Sequence, residues 1–301
     1  MAKLSSQFAA ISPGMDIEQS TDGLVSTMKA FDIEYDNVLD GIMSKINIIG
    51  NTAATSNSEI VDMLTRSSAA MAEANNTLEE TIALETAAVE ITRNAETTGT
   101  TFKTLAMRIR GYDEDGEVLE DYEELKGKIA DLTKTSKTPG GISLFTDASK
   151  TEFKSTYQLL KDIHEIYSDL TDKQQAGLLE ALAGKRGGQV VASVLNNWDA
   201  VSNAIDNMAD SAGNADAEME VIKQSWDYKI NALKETWVGT LQELINREDI
   251  GKLIDGLTSI SEVIGSIVGN LGLVKTALIG ISAIWGGKKL GYKNSLYIVI
   301  Y

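Results

Sequence analysis

The 301-residue chain contains no cysteine, one histidine, two prolines and only 6% aromatic residues. Without cysteine it can form no disulfide, no thiolate metal site and no cysteine nucleophile. The single histidine, His164, cannot build the multi-histidine sites that hold zinc, and we interpret it as a helix-surface residue. We therefore expect neither a metal nor another cofactor. With prolines only at Pro13 and Pro139, long helices can form.

Basic residues are scarce as well, since 27 lysines and arginines face 44 aspartates and glutamates, for a formal net charge of −17. Phosphate contacts require clustered basic side chains, so this balance argues against sequence-specific binding of nucleic acid. The first fifteen residues lack the apolar run of a secretion signal, and we expect no cleavable leader.

Helix start signals recur along the chain. Capping boxes, in which a Ser or Thr pairs with a Glu or Gln three residues later, begin at Ser56, Thr77 and Thr171. Asp22 is a candidate N-cap for the helix that contains Leu24. Together with apolar residues at helical spacing, these signals predict an all-α fold. We expect short antiparallel helices, followed by a long helix and a C-terminal apolar helical segment.

Residues 97–111, TTGTTFKTLAMRIRG, combine glycines, threonines and basic residues in a way that invites a ligand-binding interpretation. The spacing of the apolar residues favours a packing helix instead. We expect Thr100 or Thr101 to cap its start, Gly111 to end it in the left-handed conformation, and its basic flanks to lie in solvent. The apolar stripe consists of Phe102, Leu105, Ala106 and Ile109.

Two loops resemble ligand-binding motifs without matching them. The acidic residues 113–117 alternate like calcium ligands, but the glycine stands fourth rather than sixth, so we favour a solvated acidic turn over a calcium loop. In AGKRGG, residues 183–188, neither the spacing nor the preceding helix fits a phosphate-binding loop. We predict a tight turn there, after which a helix restarts.

The run Pro139-Gly140-Gly141 is the strongest break in the helical pattern, and residues 142–145 could form one short extended piece. With the changes of pattern further along the chain, it leads us to divide the sequence into six regions. These are a first helical region (1–133), a linker (134–153), a second helical region (154–213), a long amphipathic helix (214–256), an apolar segment (257–291) and an atypical tail (292–301).

Residues 216–245 carry an apolar stripe with an eleven-residue repeat of 3, 4 and 4 residues. This period keeps the stripe nearly straight along one helix face. It predicts a long helix that packs along that face or pairs with copies of itself as a coiled coil. The stripe consists of Met219, Ile222, Trp226, Ile230, Leu233, Trp237, Leu241 and Leu244.

Residues 263–287 carry a single charge, Lys275, and are long enough to span a bilayer. Gly265 and Gly269 form a GxxxG pair that permits close helix contact in lipid. Two short buried helices, broken near residues 270–272, are an equal alternative. The residues predicted to meet a membrane are Val263, Ile264, Gly265, Ile267, Val268, Gly269, Leu271, Leu273, Val274, Leu278, Ile279, Ile281, Ile284 and Trp285.

Several stretches resemble the tail tape measure proteins of long-tailed bacteriophages. The most specific are TLAMRIRG (104–111) and LLEALAGKRGGQVVA (178–192), and the similarity also covers residues 20–34, 57–111, 155–197 and 227–245. In all it extends over nearly all of residues 15–290. No catalytic role comes with these motifs in the family.

The resemblance implies an extended, multi-copy, helical protein of the virion, lying in the lumen of the tail tube. Its partners would be the phage tail tube protein, the tail assembly chaperones and further copies of itself, and its central helices would act as spacer. On infection it would leave ahead of the DNA, with the apolar segment contacting the host membrane. A helix of 301 residues spans about 450 Å at 1.5 Å per residue, so we expect a fragment or a degenerate prophage copy of a longer ruler.

Two other functions stay open from sequence. A membrane-active helical protein would depend on residues 263–287. A cell-wall hydrolase module, which some tape measure proteins carry, would need a catalytic Glu in a cleft rich in glycine and aromatic residues. No catalytic constellation is recognisable in the sequence, and we expect no enzyme.

Overall fold

A computed structural model describes residues 1–113 and 115–224. Within these ranges the chain is all-α, as predicted, and its only β-pairing is two isolated bridges. A 3-10 turn, Tyr35–Asn37, and a π-helical turn, Leu39–Met43, precede the third helix. The helices are α1 Ala2–Ala10, α2 Ile17–Ala30, α3 Ser44–Thr52, α4 Asn57–Glu73, α5 Leu78–Thr92, α6 Ala95–Ile109, α7 Tyr122–Leu132, α8 Thr156–Tyr167, α9 Asp172–Asn196, α10 Trp198–Ala209 and α11 Asn214–Gln224.

The three predicted capping boxes are confirmed at the starts of α4, α5 and α9. At α4 the Ser56 hydroxyl accepts from the backbone N–H of Glu59 at 3.2 Å, and the Glu59 carboxylate accepts from the Ser56 N–H at 2.9 Å. A fourth box, between Ser155 and Gln158, starts α8 and was not predicted. Each box satisfies backbone donors that a helix start would otherwise leave unpaired.

The start of α2 lies earlier than predicted. Asp16, not Asp22, caps the helix by accepting from the backbone N–H of Gln19 at 2.7 Å. The buried face of α2 begins with small residues, and Gly23 lies directly against Val61 of α4. Small residues give little hydrophobic signal, so the helix was recognisable in sequence only from Leu24 onward.

The start of α6 was also misplaced. Asn94 caps it by accepting from the backbone N–H of Thr97 at 2.8 Å, so the threonines predicted as caps lie inside the helix. Gly99 lies inside as well, because the backbone of Met63 in α4 passes so close that a Cβ at this position would lie 2.7 Å from the Met63 carbonyl oxygen. The predicted apolar stripe is buried, and Gly111 follows the helix with φ +84°.

The glycines of residues 183–188 do not form the predicted tight turn. Only Gly184 departs from helical geometry, with φ +65°, and it kinks α9 without ending it. Gly187 and Gly188 lie inside the second half of α9 and are buried. A Cβ on Gly187 would meet the Thr101 methyl of α6 at 2.8 Å, so glycine here permits close contact between the two helices.

The predicted linker, residues 134–153, packs onto α7. Ile142 and Leu144 are buried, and the Ile142 N–H donates to the Thr133 hydroxyl at 2.7 Å. The only pairing in the segment predicted as extended is a bridge between Phe145 and Phe153. The division of the chain into six regions stays a prediction.

Helix α5 occupies the middle of the fold. Every residue from 81 to 89 is buried, so the helix has neighbours on all sides. It contacts α3, α4, α6, α8, α9 and α10. The buried apolar side chains form one hydrophobic cluster that extends from Phe8 to Met219. The extended form implied by the tape measure resemblance therefore does not describe residues 1–224.

The start of α11 is held by side chains from the π-helical turn and α3. Asp40 accepts from the backbone N–H of Gly213 at 2.9 Å, and Ser44 accepts from that of residue 215 at 3.2 Å. Asn47 donates to the Asn214 side chain at 2.6 Å. These contacts satisfy donors at the helix start from a distant part of the sequence.

Helix α11 begins at Asn214, inside the region 214–256 for which a long helix is predicted. In α11, Met219 is buried and Ile222 is half-buried, which agrees with the predicted stripe. The remaining six stripe residues lie outside the described residues.

Gly99 offers a test of the contact between α4 and α6. Gly99→Ala should lower the free energy of unfolding by about 1–3 kcal/mol, because the added methyl collides with backbone that cannot move independently. Gly127→Ala in α7 is the matched control, since its Cβ would meet nothing within 4 Å. That control should stabilise the protein by about 0.5–1 kcal/mol. Urea unfolding measures both, and equal effects at the two sites would contradict the packing.

Candidate interaction site

The two motifs most specific to the resemblance lie against each other. The Arg108 Nε of α6 donates to the carbonyl oxygen of Ala181 at 2.8 Å, just before the kink at Gly184. The kink ends the first half of α9, and a positive group is favourable beside its last carbonyls. The predicted solvated arginine therefore has a structural role, and both motifs are explained by the packing of α6 on α9.

Arg110, two residues later, is half-buried rather than solvated. Its guanidinium lies over the Phe153 ring, 5.5 Å from the centroid, and Phe153 packs on Phe145 with the ring centroids 4.7 Å apart. Burial lowers the pKa of Arg110, and the carboxylate of Glu73 opposes that shift. Within the described ranges the guanidinium makes no hydrogen bond, and its Nη1 atom is buried without a partner.

A cavity of about 340 Å³ lies beside Arg110, between the end of α6 and the end of α4. Ala70, Ala106 and Met107 give it an apolar wall, while Glu73 and Arg110 bring charges of opposite sign. No ion pair forms between these two charged side chains in the structure. The cavity thus combines apolar surface with a cation that lacks a hydrogen-bond acceptor.

The loop after α6 folds back on itself and borders this cavity. Tyr112 pairs with Val118 in an antiparallel bridge, and Asp113 accepts from the backbone N–H groups of Asp115 and Glu117 at 3.0 and 2.9 Å. Directly paired residues project from the same face. Tyr112 and Val118 are 43% and 74% exposed, so the loop presents two apolar side chains within an acidic surround. The Asp113 side chain thus stabilises, through these two hydrogen bonds, the turn that we interpreted from sequence as a solvated acidic loop.

His164 is half-buried and not a simple surface residue. Its ring stacks on Trp198 with centroids 5.1 Å apart, and its Nδ1 lies 2.9 Å from the carbonyl oxygen of Leu195. Because a carbonyl only accepts, Nδ1 carries the hydrogen in this contact. The residue joins α8 to the end of α9, a role that depends on Trp198 and has no local sequence signal.

A second cavity, of about 380 Å³, partly fits the surroundings expected of a hydrolase. Glu123 lines it together with Phe145 and three glycines at positions 127, 140 and 141. However, Glu123 is exposed and forms an ion pair with Lys126. A catalytic acid of a glycosidase needs an enclosed carboxyl group. The cavity therefore gives the hydrolase alternative no support.

Glu85 is the one fully buried carboxyl group in the described part of the chain. It lies in α5 with no exposed surface, and both carboxyl oxygens lack hydrogen-bond partners. Burial raises the pKa of Glu85 to about 8, and the nearby Ser67 hydroxyl opposes the shift. The group is protonated at neutral pH, and its enclosure removes it from any substrate.

The chain matches the sequence model of one protein family, described as phage-related minor tail protein, over residues 1–184. The match covers 184 of 301 residues, and it includes the Arg108 contact, the Arg110 cavity and Glu85. The chain belongs to the family of phage-related minor tail proteins. No curated protein and no solved structure matches it.

Membership in this minor tail family confirms the coarser part of the resemblance, a structural protein of a phage tail associated with the virion. The predicted membrane residues, from Val263 to Trp285, lie outside the described residues. Among the helices of residues 1–113 and 115–224, none is both long and apolar enough to cross a membrane. The same ranges contain no group of three or more His, Asp or Glu that could hold a metal ion.

The pKa of Glu85 predicts a pH dependence of stability. Between the ordinary value of 4.5 and about 8 the folded protein holds a proton that the unfolded chain has lost. The free energy of unfolding should therefore fall as the pH rises through this window, by up to about 1.4 kcal/mol per pH unit from this group.

Urea unfolding at several pH values between 4 and 9 should show this decline for the wild type relative to Glu85→Gln, which cannot ionise. Glu124→Gln, the same change at an exposed position of α7, is the control and should leave the decline intact. Parallel curves for the wild type and Glu85→Gln would show that Glu85 does not hold the proton.

Proposed function

We propose that this chain is a tape measure protein of a phage tail, with residues 1–224 as a folded helical unit and the residues that follow, for which the sequence predicts a helix, as spacer. The observation that carries the proposal is the match to the minor tail family over residues 1–184. The TLAMRIRG and LLEALAGKRGGQVVA motifs, which resemble those of tape measure proteins, pack together through Arg108 and Ala181. The proposed role is structural and not enzymatic.

The fold changes which residues would measure length. A spacer helix contributes 1.5 Å of tail per residue. Residues 1–224 bury one core and cannot contribute at that rate while they remain folded. The eleven-residue stripe that begins at Met219 continues, in sequence, through Leu244. We therefore assign the spacer role to residues that follow the folded unit, and to the corresponding parts of a longer parent protein.

The proposed partners are the tail tube protein, which would polymerise around the spacer, the tail assembly chaperones, and further copies of this chain. The net charge of −17 suits a protein that shares a narrow channel with DNA, because like charges repel. Self-association would use the stripe of residues 216–245, whose period favours a nearly straight seam between helices.

Two deletions in the parent phage test whether these residues set the length of the tail. Removing residues 227–248, two eleven-residue repeats, should shorten the tail by about 33 Å if they are spacer helix. Removing residues 1–224, with a start methionine retained, should shorten it by much less than the roughly 336 Å that the same residues would span as one helix.

Tail length by electron microscopy is the measurement. A tail of unchanged length after the first deletion contradicts the ruler role. A loss near 336 Å after the second contradicts the folded unit, because it would mean that these residues are extended in the tail.

A membrane role for residues 263–287 is a separate proposal that rests on their sequence. They carry one charge, Lys275, and a GxxxG pair. A charge at the bilayer centre is costly, so Lys275 would pair, reach the interface, or lie between two shallow helices. Flotation of the full chain with anionic liposomes measures this binding.

Lys275→Leu should strengthen liposome binding, and Ile267→Asp combined with Ile281→Asp should abolish it. The full chain carrying Val118→Asp and Val221→Asp is the control, since it adds the same two charges at exposed positions. If the wild type does not float, the membrane role is wrong.

A further inference from the structure

The guanidinium of Arg110 makes no hydrogen bond in the described part of the chain. It is half-buried, its Nη1 is enclosed without an acceptor, and it lies over the face of the Phe153 ring. A buried charge without a hydrogen-bonded partner is strongly unfavourable, and such groups are normally paired. The arginine has five donors in a planar fork, which fits a carboxylate or a phosphate in a bidentate manner.

The cavity beside Arg110 indicates which chemical group of a ligand would lie next to its anion. Ala70, Ala106 and Met107 line the cavity of about 340 Å³, which has room for an aliphatic side chain next to the charged group. Tyr112 lies at its edge and is 43% exposed. A ligand that fills this space therefore carries both an apolar group and an anion.

The negative charges around the cavity limit which kind of anion can bind at Arg110. Glu73 lines the cavity, and Asp113, Asp115 and Glu117 lie in the adjacent loop. Doubling the charge of the ligand doubles both its attraction to Arg110 and its repulsion from these carboxylates. Because the carboxylates outnumber the arginine, the net effect is less favourable for a dianion than for a monoanion. A single carboxylate is thus favoured over a phosphate. The exposed Val118, paired with Tyr112, extends the apolar surface beyond the cavity, which favours a chain over a small molecule.

We propose that this cavity binds a peptide segment of a partner protein, with a carboxylate of the segment at Arg110 and a neighbouring aliphatic side chain against Met107. The segment continues over Tyr112 and Val118. This inference concerns a contact that neither the family match nor the tape measure role specifies, and it stands or falls separately from them.

Glu73 provides the internal alternative. Its carboxylate is exposed and lies near enough to affect Arg110, so a rotation of either side chain could pair the two without any partner. In that case Glu73 would compete with an added carboxylate. Removing it should then leave the cavity free for an external one, and this makes Glu73→Gln a discriminating variant.

The experiment uses the full chain with 13C-labelled methionine methyl groups, in which the Met107 signal is assigned from Met107→Leu. The probes are N-acetyl-leucine, N-acetyl-leucinamide, inorganic phosphate, and the peptide acetyl-Ala-Leu-Asp-Ala-Leu-amide with its Asn counterpart. The shift of the Met107 methyl against probe concentration gives each affinity, and the other methionine signals report whether the fold is retained.

We expect the Asp peptide to bind at least tenfold more tightly than the Asn peptide. We also expect N-acetyl-leucine to bind more tightly than its amide. Arg110→Gln should weaken the Asp peptide at least tenfold, and Glu73→Gln should strengthen it. Lys103→Gln, which removes one positive charge from α6, is the control and should have less than a twofold effect. Val118→Ser should reduce the affinity of the peptide but not that of N-acetyl-leucine.

Four results would overturn the proposal. Equal affinity for the Asp and Asn peptides would show that the cavity does not recognise a carboxylate. Tighter binding of phosphate than of the peptides would show that it is a phosphate site. If N-acetyl-leucine bound as tightly as the peptide, the occupant would be a small molecule. No shift of Met107 with any probe, in the wild type and in Glu73→Gln alike, would leave the cavity without a ligand.

Discussion

The burial of α5 on all sides is the constraint on which the rest of the fold depends. A helix that is apolar on all sides is stable only when other elements cover every side of it. Six other helices contact α5. Its buried run, TIALETAAV, consists largely of small and β-branched residues, which let neighbours approach closely. The same enclosure strips water from Glu85 and keeps it protonated.

Close approach also accounts for the glycines that sequence motifs made conspicuous. Gly99 admits the Met63 backbone, and Gly187 admits the Thr101 methyl, so α6 lies tightly between α4 and α9. The kink at Gly184 then exposes carbonyls that Arg108 reaches. Glycines of a kind found in phosphate-binding loops therefore permit close helix packing here. The candidate binding group at the surface is Arg110.

Local signals in the sequence were sufficient for the helix class and for the starts at Ser56, Thr77 and Thr171, because a capping box is complete within four residues. The starts at Asp16 and Asn94 were misplaced, since small residues on the buried face hid the first turns. The Arg110 cavity could not be predicted. It forms where α6 packs beside α4, and the guanidinium at its edge lies over Phe153, 43 positions away along the chain. No local spacing encodes either contact.

Helix α1 contacts α11, so the first helix of the folded unit and its last described helix lie side by side. A chain that enters and leaves a domain at neighbouring points gains almost no end-to-end distance from it, whatever the number of residues inside. In a longer polypeptide such a unit forms a side loop on the path of the chain. Under the tape measure function that we propose, such a unit can be inserted, lost or exchanged without changing the measured length, and evolution of tail length then acts on the spacer alone.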